Sequence, residues 1–185
     1  MNNTFLNLVK TRTSCRNYLA ETVSPEAINY CLEAARWAPS ACNKQPWRFI
    51  VVDAPELKQR ISAGGLLPGV PMPWVAQAPV IVVICVRKTI LTHWLAPLIS
   101  GIKYHLIDIG IAGEHFVLAA QEQGLGTCWI GWFNKKSVKK ILNLPNELEP
   151  VSMLTLGHPA TENCTGTRLD LNEISQYNRS TADKR

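Results

Sequence analysis

Four stretches of the chain gather side chains able to hold a polar ligand. Arg12-Thr-Ser14-Cys-Arg16 sets Arg, Ser and Arg at alternate positions. In an extended segment alternate side chains point the same way, so two guanidinium groups would flank one hydroxyl. Forked, permanently charged donors of this kind suit a phosphate; a solvent-facing basic turn would use the same residues. Residues 36–49, RWAPSACNKQPWRF, carry Ser40, Asn43, Lys44 and Gln45 between an apparent helix end at Pro39 and an apparent strand start at Trp47. A simple helix-to-strand turn needs neither that length nor that many donors and acceptors. Gly124-Leu-Gly126-Thr-Cys-Trp129-Ile-Gly131 offers glycines where backbone could approach a flat ligand or another chain; a tight helix-strand turn with one bulge is the alternative. Gly157-His-Pro159 and the isolated Arg168 follow late in the chain, and alone Arg168 reads as a surface charge.

Several chemistries are excluded by what these stretches lack. No GxGxxG or GxxxxGK[ST] pattern supports a dinucleotide fold or a P-loop. No GxSxG, no cysteine with a partnered histidine and no carboxylate pair supports a hydrolase, so any chemistry here belongs to a cofactor. The four histidines show no HExxH spacing and the six cysteines no CxxC pair, which predicts reduced, mostly buried thiols and no metal site. The N-terminal stretch lacks the pattern of a signal peptide, and the expected location is the cytoplasm.

The net charge of +5 draws on Lys135, Lys136, Lys139 and Lys140, which share one side of a short helix. Without interleaved aromatics they read as a solvated face rather than a nucleic-acid surface. With 46% hydrophobic and 18% charged residues, the 185-residue chain suits a single globular domain, residues 1–185. Such a chain buries about 70% of its unfolded surface. The longest apolar run, Ala78–Val86, is far short of the roughly 20 residues that span a bilayer and reads as a buried strand.

The elements that must position these groups follow from periodicity. Residues 4–10 suggest a first helix. A second starts with Ser24 as cap and Pro25 at the first turn, with Ile28, Cys31, Leu32 and Ala35 as its apolar stripe. Strands are expected at Arg48–Asp53, Pro79–Val86, Thr127–Phe133 and Val151–Leu156, with a helix at Pro55–Ser62 and the lysine helix between the last two strands. A long helix over roughly Ile102–Gln123 turns Leu106, Ile109, Gly113, Phe116, Val117 and Ala120 inward, and Gly124 stops it. Gly110 and Gly113 inside it suggest close approach by another helix or a backbone. Residues 64–75, rich in glycine and proline, can only be a loop. The order ααβαβαβαβ argues for an α+β sheet between helices. The two-sided apolar character of one helix argues for a homodimer.

Taken in order, these stretches resemble the FMN-dependent nitroreductase family over nearly the whole chain: RxSxR, then AARWAPSACNKQPW, then the Asp108–Glu114 run and GLGTCWIGWF, then a late Gly-Pro turn and an arginine. The resemblance implies a three-layer α-β-α fold with a central mixed or antiparallel sheet, and an intertwined homodimer holding two FMN at its interface. It places Arg12, Ser14 and Arg16 at the phosphate and ribityl side, with Arg168 closing on the phosphate. Pro39, Ser40, Asn43 and Gln45 would frame the ring from the partner subunit, and Trp129, Ile130 and Gly131 would bring backbone to its N5 edge. The chain has Thr13 where the family often has a second arginine. A cation such as Arg16 near the N1–C2=O edge would favour the reduced, anionic flavin. Amide side chains such as Asn43 and Gln45 match a ring edge of mixed donors and acceptors.

The implied activity is ping-pong transfer of two electrons from NADPH or NADH, through FMN, to a nitroaromatic or quinone. Dehydrogenation, reductive dehalogenation and flavin breakdown are the alternatives on the same scaffold, and a non-enzymatic flavin or nucleic-acid binder is the remote one. Loop 64–75 and residues 89–104, with His93, Trp94 and Tyr104, are expected to line or cover the substrate site.

Overall fold

Val80–Arg87, here β2, organises the molecule. In the computed structural model, which describes residues 4–87, 101–161 and 166–178, Val80 to Val86 are all buried. Alternate side chains of a strand face opposite ways. Val80, Val82, Ile84 and Val86 pack into one core with Ile28, Cys31 and Ala35 of one helix and Ile109, Phe116 and Val117 of another. Ile81, Val83 and Cys85 pack into a second core with Ile61, Val138, Ile130 and Met153. A strand buried on both faces has no polar alternation, which is why its sequence reads as one unbroken apolar run.

The chain order is α1 (Thr4–Thr11), α2 (Pro25–Arg36), a 3-10 turn (Ala41–Asn43), β1 (Trp47–Val52), α3 (Pro55–Gly64), α4 (Trp74–Gln77) and β2. It continues with α5 (Tyr104–Glu122), β3 (Gly126–Ile130), α6 (Lys135–Ile141), β4 (Leu148–Gly157) and α7 (Leu171–Ile174). The sheet runs β1-β2-β4-β3, antiparallel at each pairing, with a register shift between Ile84 and Cys85. Helices α2 and α5 cover one face and α3 and α6 the other, giving three layers. The fold is α+β, as expected.

Local signals behave as their chemistry dictates. Ser24 Oγ accepts the Ala27 N–H at 3.2 Å, with Pro25 opening the helix. Gly124 ends α5 with φ of +75°. Three expectations change. Leu106 is 43% exposed, because the buried stripe of α5 runs through Asp108, Ile109, Ala112 and Phe116 instead. Gly113 is approached by the Trp129 side chain rather than by backbone or another helix: a Cβ there would sit 2.8 Å from Trp129 Cζ2, whereas among the described residues nothing lies within 4 Å of a Cβ at Gly110. Residues 64–75 are not all loop, since Gly64 completes α3 and Trp74 starts α4. His93, Trp94 and Cys164 lie outside the described residues.

Candidate cofactor site

The segment after α1 runs along the free edge of β3. Ser14 pairs in parallel with Thr127, and the Cys15 N–H donates to the Thr127 carbonyl at 2.8 Å. Gly126 permits this approach, because a Cβ there would meet Cys15 Cβ at 2.6 Å. Further along, the Tyr18 hydroxyl is buried between the Cys15 carbonyl (2.9 Å) and Thr155 Oγ1 (2.7 Å). Burial pushes the Tyr18 phenol well above its usual range, so it stays a neutral clasp. The Leu19 N–H bonds to the His158 carbonyl and the Ala160 N–H to the Asn17 carbonyl. Two motifs far apart in sequence, 12–16 and 124–131, thus form one edge, with the 157–160 turn as a third wall.

On that edge Ser14 and Arg16 lie near the Cys128 thiol, whose own hydrogen bond goes to the Trp129 carbonyl at 3.6 Å. Burial raises the Cys128 thiol despite the nearby Arg16 cation, so it remains protonated. Among the described residues no carboxylate forms an ion pair with Arg12 or Arg16. Arg12 follows α1, its N–H still bonded to the Leu8 carbonyl. Arg168 is exposed and bonds to the carbonyls of Gly166 and Thr167 in its own loop. No described hydrogen bond or ion pair joins it to the 12–16 edge.

The polar stretch 39–45 is a built loop. Ser40 Oγ accepts the Gln45 N–H at 2.9 Å, and Gln45 Nε2 donates to Asn43 Oδ1 at 3.0 Å. Cys42, Asn43 and Gln45 have φ of +50°, +51° and +47°, the left-handed region, without a glycine among them. Such strain persists only where the surroundings hold it. The holding group is Asp108 of α5, 5% exposed, whose Oδ1 accepts the Ala41 N–H at 3.0 Å. Arg48 adds a second restraint by donating to the Gln45 carbonyl at 3.1 Å. Pro39, Asn43 and Gln45 face solvent. No described hydrogen bond ties this loop to the 12–16 edge within one chain.

Trp129 lies half-buried over Gly113, Ile130 is buried in the second core, and Gly131 is exposed. Residues 65–68 lie across the end of β3. Leu66 bridges Phe133, Trp132 Nε1 donates to the Pro68 carbonyl at 3.0 Å, and the Asn134 N–H donates to the Gly65 carbonyl at 2.8 Å. Of the four lysines, Lys139 turns inward to the carbonyls of Asn146 and Leu148, and Lys135 lies 3.9 Å from Glu149. Among the described residues no group of His, Cys, Asp or Glu could hold a metal ion, and no helix is long and apolar enough to cross a membrane.

The donor set fits an anionic, flat, polar-edged group. It offers cations free of carboxylates, a hydroxyl between them, an exposed amide rim and backbone with a bare glycine. Sequence reasoning found these but not their supports. Asp108 could have been noticed as a carboxylate in the otherwise apolar stripe of α5. The Tyr18–Thr155 clasp carries no local signal.

The sequence pattern of the nitroreductase family matches residues 9–63 and 67–158. A protein of Methanothermobacter thermautotrophicus, provisionally named an NADH dehydrogenase/NAD(P)H nitroreductase, is 34% identical over 167 residues, covering 88% of this chain and 80% of its own. A Bacillus subtilis protein named FMN reductase [NAD(P)H] is 33% identical over 174 residues, covering 84% of this chain and 66% of its own. The crystal structure of a nitroreductase family protein from Clostridium difficile 630 superposes with a TM-score of 0.80 at 30% identity, covering 97% of this chain and 100% of its own.

Proposed function

The chain belongs to the nitroreductase family, and from that premise we propose how its residues serve as an FMN-dependent oxidoreductase that passes two electrons from NADH or NADPH to an electron-poor small molecule, a nitroaromatic or a quinone. It is an NAD(P)H-dependent oxidoreductase that uses FMN. The observation that carries the residue assignment is the pairing of segment 12–16 with β3, which sets uncompensated cations beside the Gly126–Gly131 backbone.

When bound, FMN would supply the redox chemistry, a two-electron carrier between the nicotinamide and the second substrate in a ping-pong order. The chain's residues bind and orient. Arg12 and Ser14 take the phosphate and ribityl side through charge-assisted hydrogen bonds. Arg16 sets positive charge toward the N1–C2=O edge, where negative charge develops. Ser40, Asn43 and Gln45, with Pro39, present a rim whose amides both donate and accept. Trp129, Ile130 and Gly131 offer backbone where no side chain intervenes at Gly131. Arg168 closes on the phosphate by exchanging its bonds to its own loop for the anion. Solvent supplies the proton, so no side chain is assigned as an acid.

The family is generally dimeric. In this chain the 12–16 edge and the 39–45 loop are complementary halves, the second donated by a partner subunit. Exposed Ile107 (52%) and Trp37 (72%) give the α2–α5 side the apolar surface that such a partner would cover. One experiment tests both parts of the reading. Size-exclusion chromatography with light scattering, monitored at the flavin band, should show a yellow dimer that NADH or NADPH bleaches anaerobically. A colourless protein, or one whose flavin stays oxidised with either nucleotide, refutes it.

A further inference from the structure

Trp74 has no role in the site so far, yet it opens α4 at the end of the Gly/Pro-rich segment and packs with Cys15, Tyr18 and Ala78. The Arg16 guanidinium carbon lies 5.5 Å from its ring centroid, within the range of a cation–π contact. The Cys128 thiol lies near Arg16 as well. Both neighbours are neutral. An arginine oriented by a carboxylate would be electrostatically cancelled, whereas one oriented by an aromatic face keeps its charge for a ligand.

We propose that Trp74 is the positioning residue for Arg16, holding the guanidinium by its ring face so that its uncancelled charge favours the reduced, anionic flavin. This rests on the FMN reading above and on Arg16 serving the N1–C2=O edge. It also moves the end of loop 64–75 from a substrate cover to a support of the cofactor's electronics. Trp74 acts through Arg16 and touches no reacting atom.

The test is the two-electron midpoint potential of bound FMN, measured by equilibration with a reference dye in four proteins: wild type, Trp74→Met, Arg16→Gln and the double variant. A cation–π contact of this kind supports about a two- to fivefold preference for reduced over oxidised flavin. At about 30 mV per tenfold for a two-electron couple, Trp74→Met should lower the potential by about 10 to 20 mV. Arg16→Gln should lower it by more, and the double variant should match Arg16→Gln alone. Trp74→Phe, which keeps a weaker ring face, should fall between wild type and Trp74→Met. It carries the test if Trp74→Met does not fold.

Wild-type protein that binds no FMN overturns the functional reading and this inference together. An unchanged potential in flavin-loaded Arg16→Gln overturns the placement of Arg16 and hence the role of Trp74. A potential lowered by Arg16→Gln but untouched by the Trp74 variants overturns this inference alone. So does a Trp74 shift that persists in full when Arg16 is already glutamine.

Discussion

Replacing Asp108 should separate the site loop from the rest of the fold. Its carboxylate is 5% exposed and accepts the Ala41 N–H at 3.0 Å. The loop it holds keeps Cys42 and Gln45 in the left-handed region, a conformation that costs about 1 to 2 kcal/mol for each ordinary residue. A hydrogen bond to a charged acceptor contributes roughly 1.5 to 3 kcal/mol. Asp108→Ala therefore removes a restraint of the same size as the strain it opposes, and the loop should relax to other conformers. If the full loss appears in the fraction of protein with a competent loop, FMN affinity should fall by roughly tenfold to a hundredfold. Asp108→Asn keeps an oxygen that can accept the same N–H and should lose far less. Titrating apo-protein into FMN and following the quenching of flavin fluorescence measures this directly. The reasoning fails if Asp108→Ala lowers the melting temperature yet binds FMN as wild type does, or if the Ala and Asn variants are equally impaired.

Two further outcomes follow from the same geometry. Gly113→Ala places a methyl against the Trp129 ring, 2.8 Å from Cζ2; overpacking of this kind costs about 1 to 3 kcal/mol, so thermal melts should shift down by about 2 to 10 °C. The shift should shrink in Gly113→Ala with Trp129→Leu, and a single variant that melts with wild type contradicts the packing. Stability should also fall in alkali, because burial raises the Cys31 thiol to about 11 and the Cys85 thiol to about 12. Both thiols stay protonated in the folded chain and ionise in the unfolded one, so the stability they contribute is complete below about pH 9 and is lost as pH rises toward 11 to 12. Urea midpoints between pH 8 and 11 check the sign, and Cys85→Ala should flatten the decline even though its cavity lowers stability at every pH.

Much of this protein was legible in local patterns. Ser24 and Pro25 announce α2 because capping and ring-locked φ act within one helical turn. The run Val80–Val86 announces a strand covered on both faces because only such a strand has no use for polar alternation. The four polar stretches are equally local, and their order along the chain carried the family resemblance. Periodicity faltered where one residue in a stripe had competing partners. Leu106 fits the apolar pattern of α5, yet Asp108 takes the buried position beside Ile109.

Tertiary structure alone decided how the stretches meet. Nothing near Gln45 predicts a left-handed backbone at three positions without glycine; that conformation depends on Asp108, which holds the Ala41 N–H from 67 residues further along the chain. Nothing near Arg16 predicts the Trp74 ring beneath it, and nothing near Ser14 predicts Thr127 beside it. Propensity and periodicity are energies among neighbours in sequence and can be read before folding. These contacts form only after chain entropy has been spent bringing distant segments together, so the sequence by itself determines which groups can hold a ligand, and the closed fold determines which of them are held, charged and facing the same way.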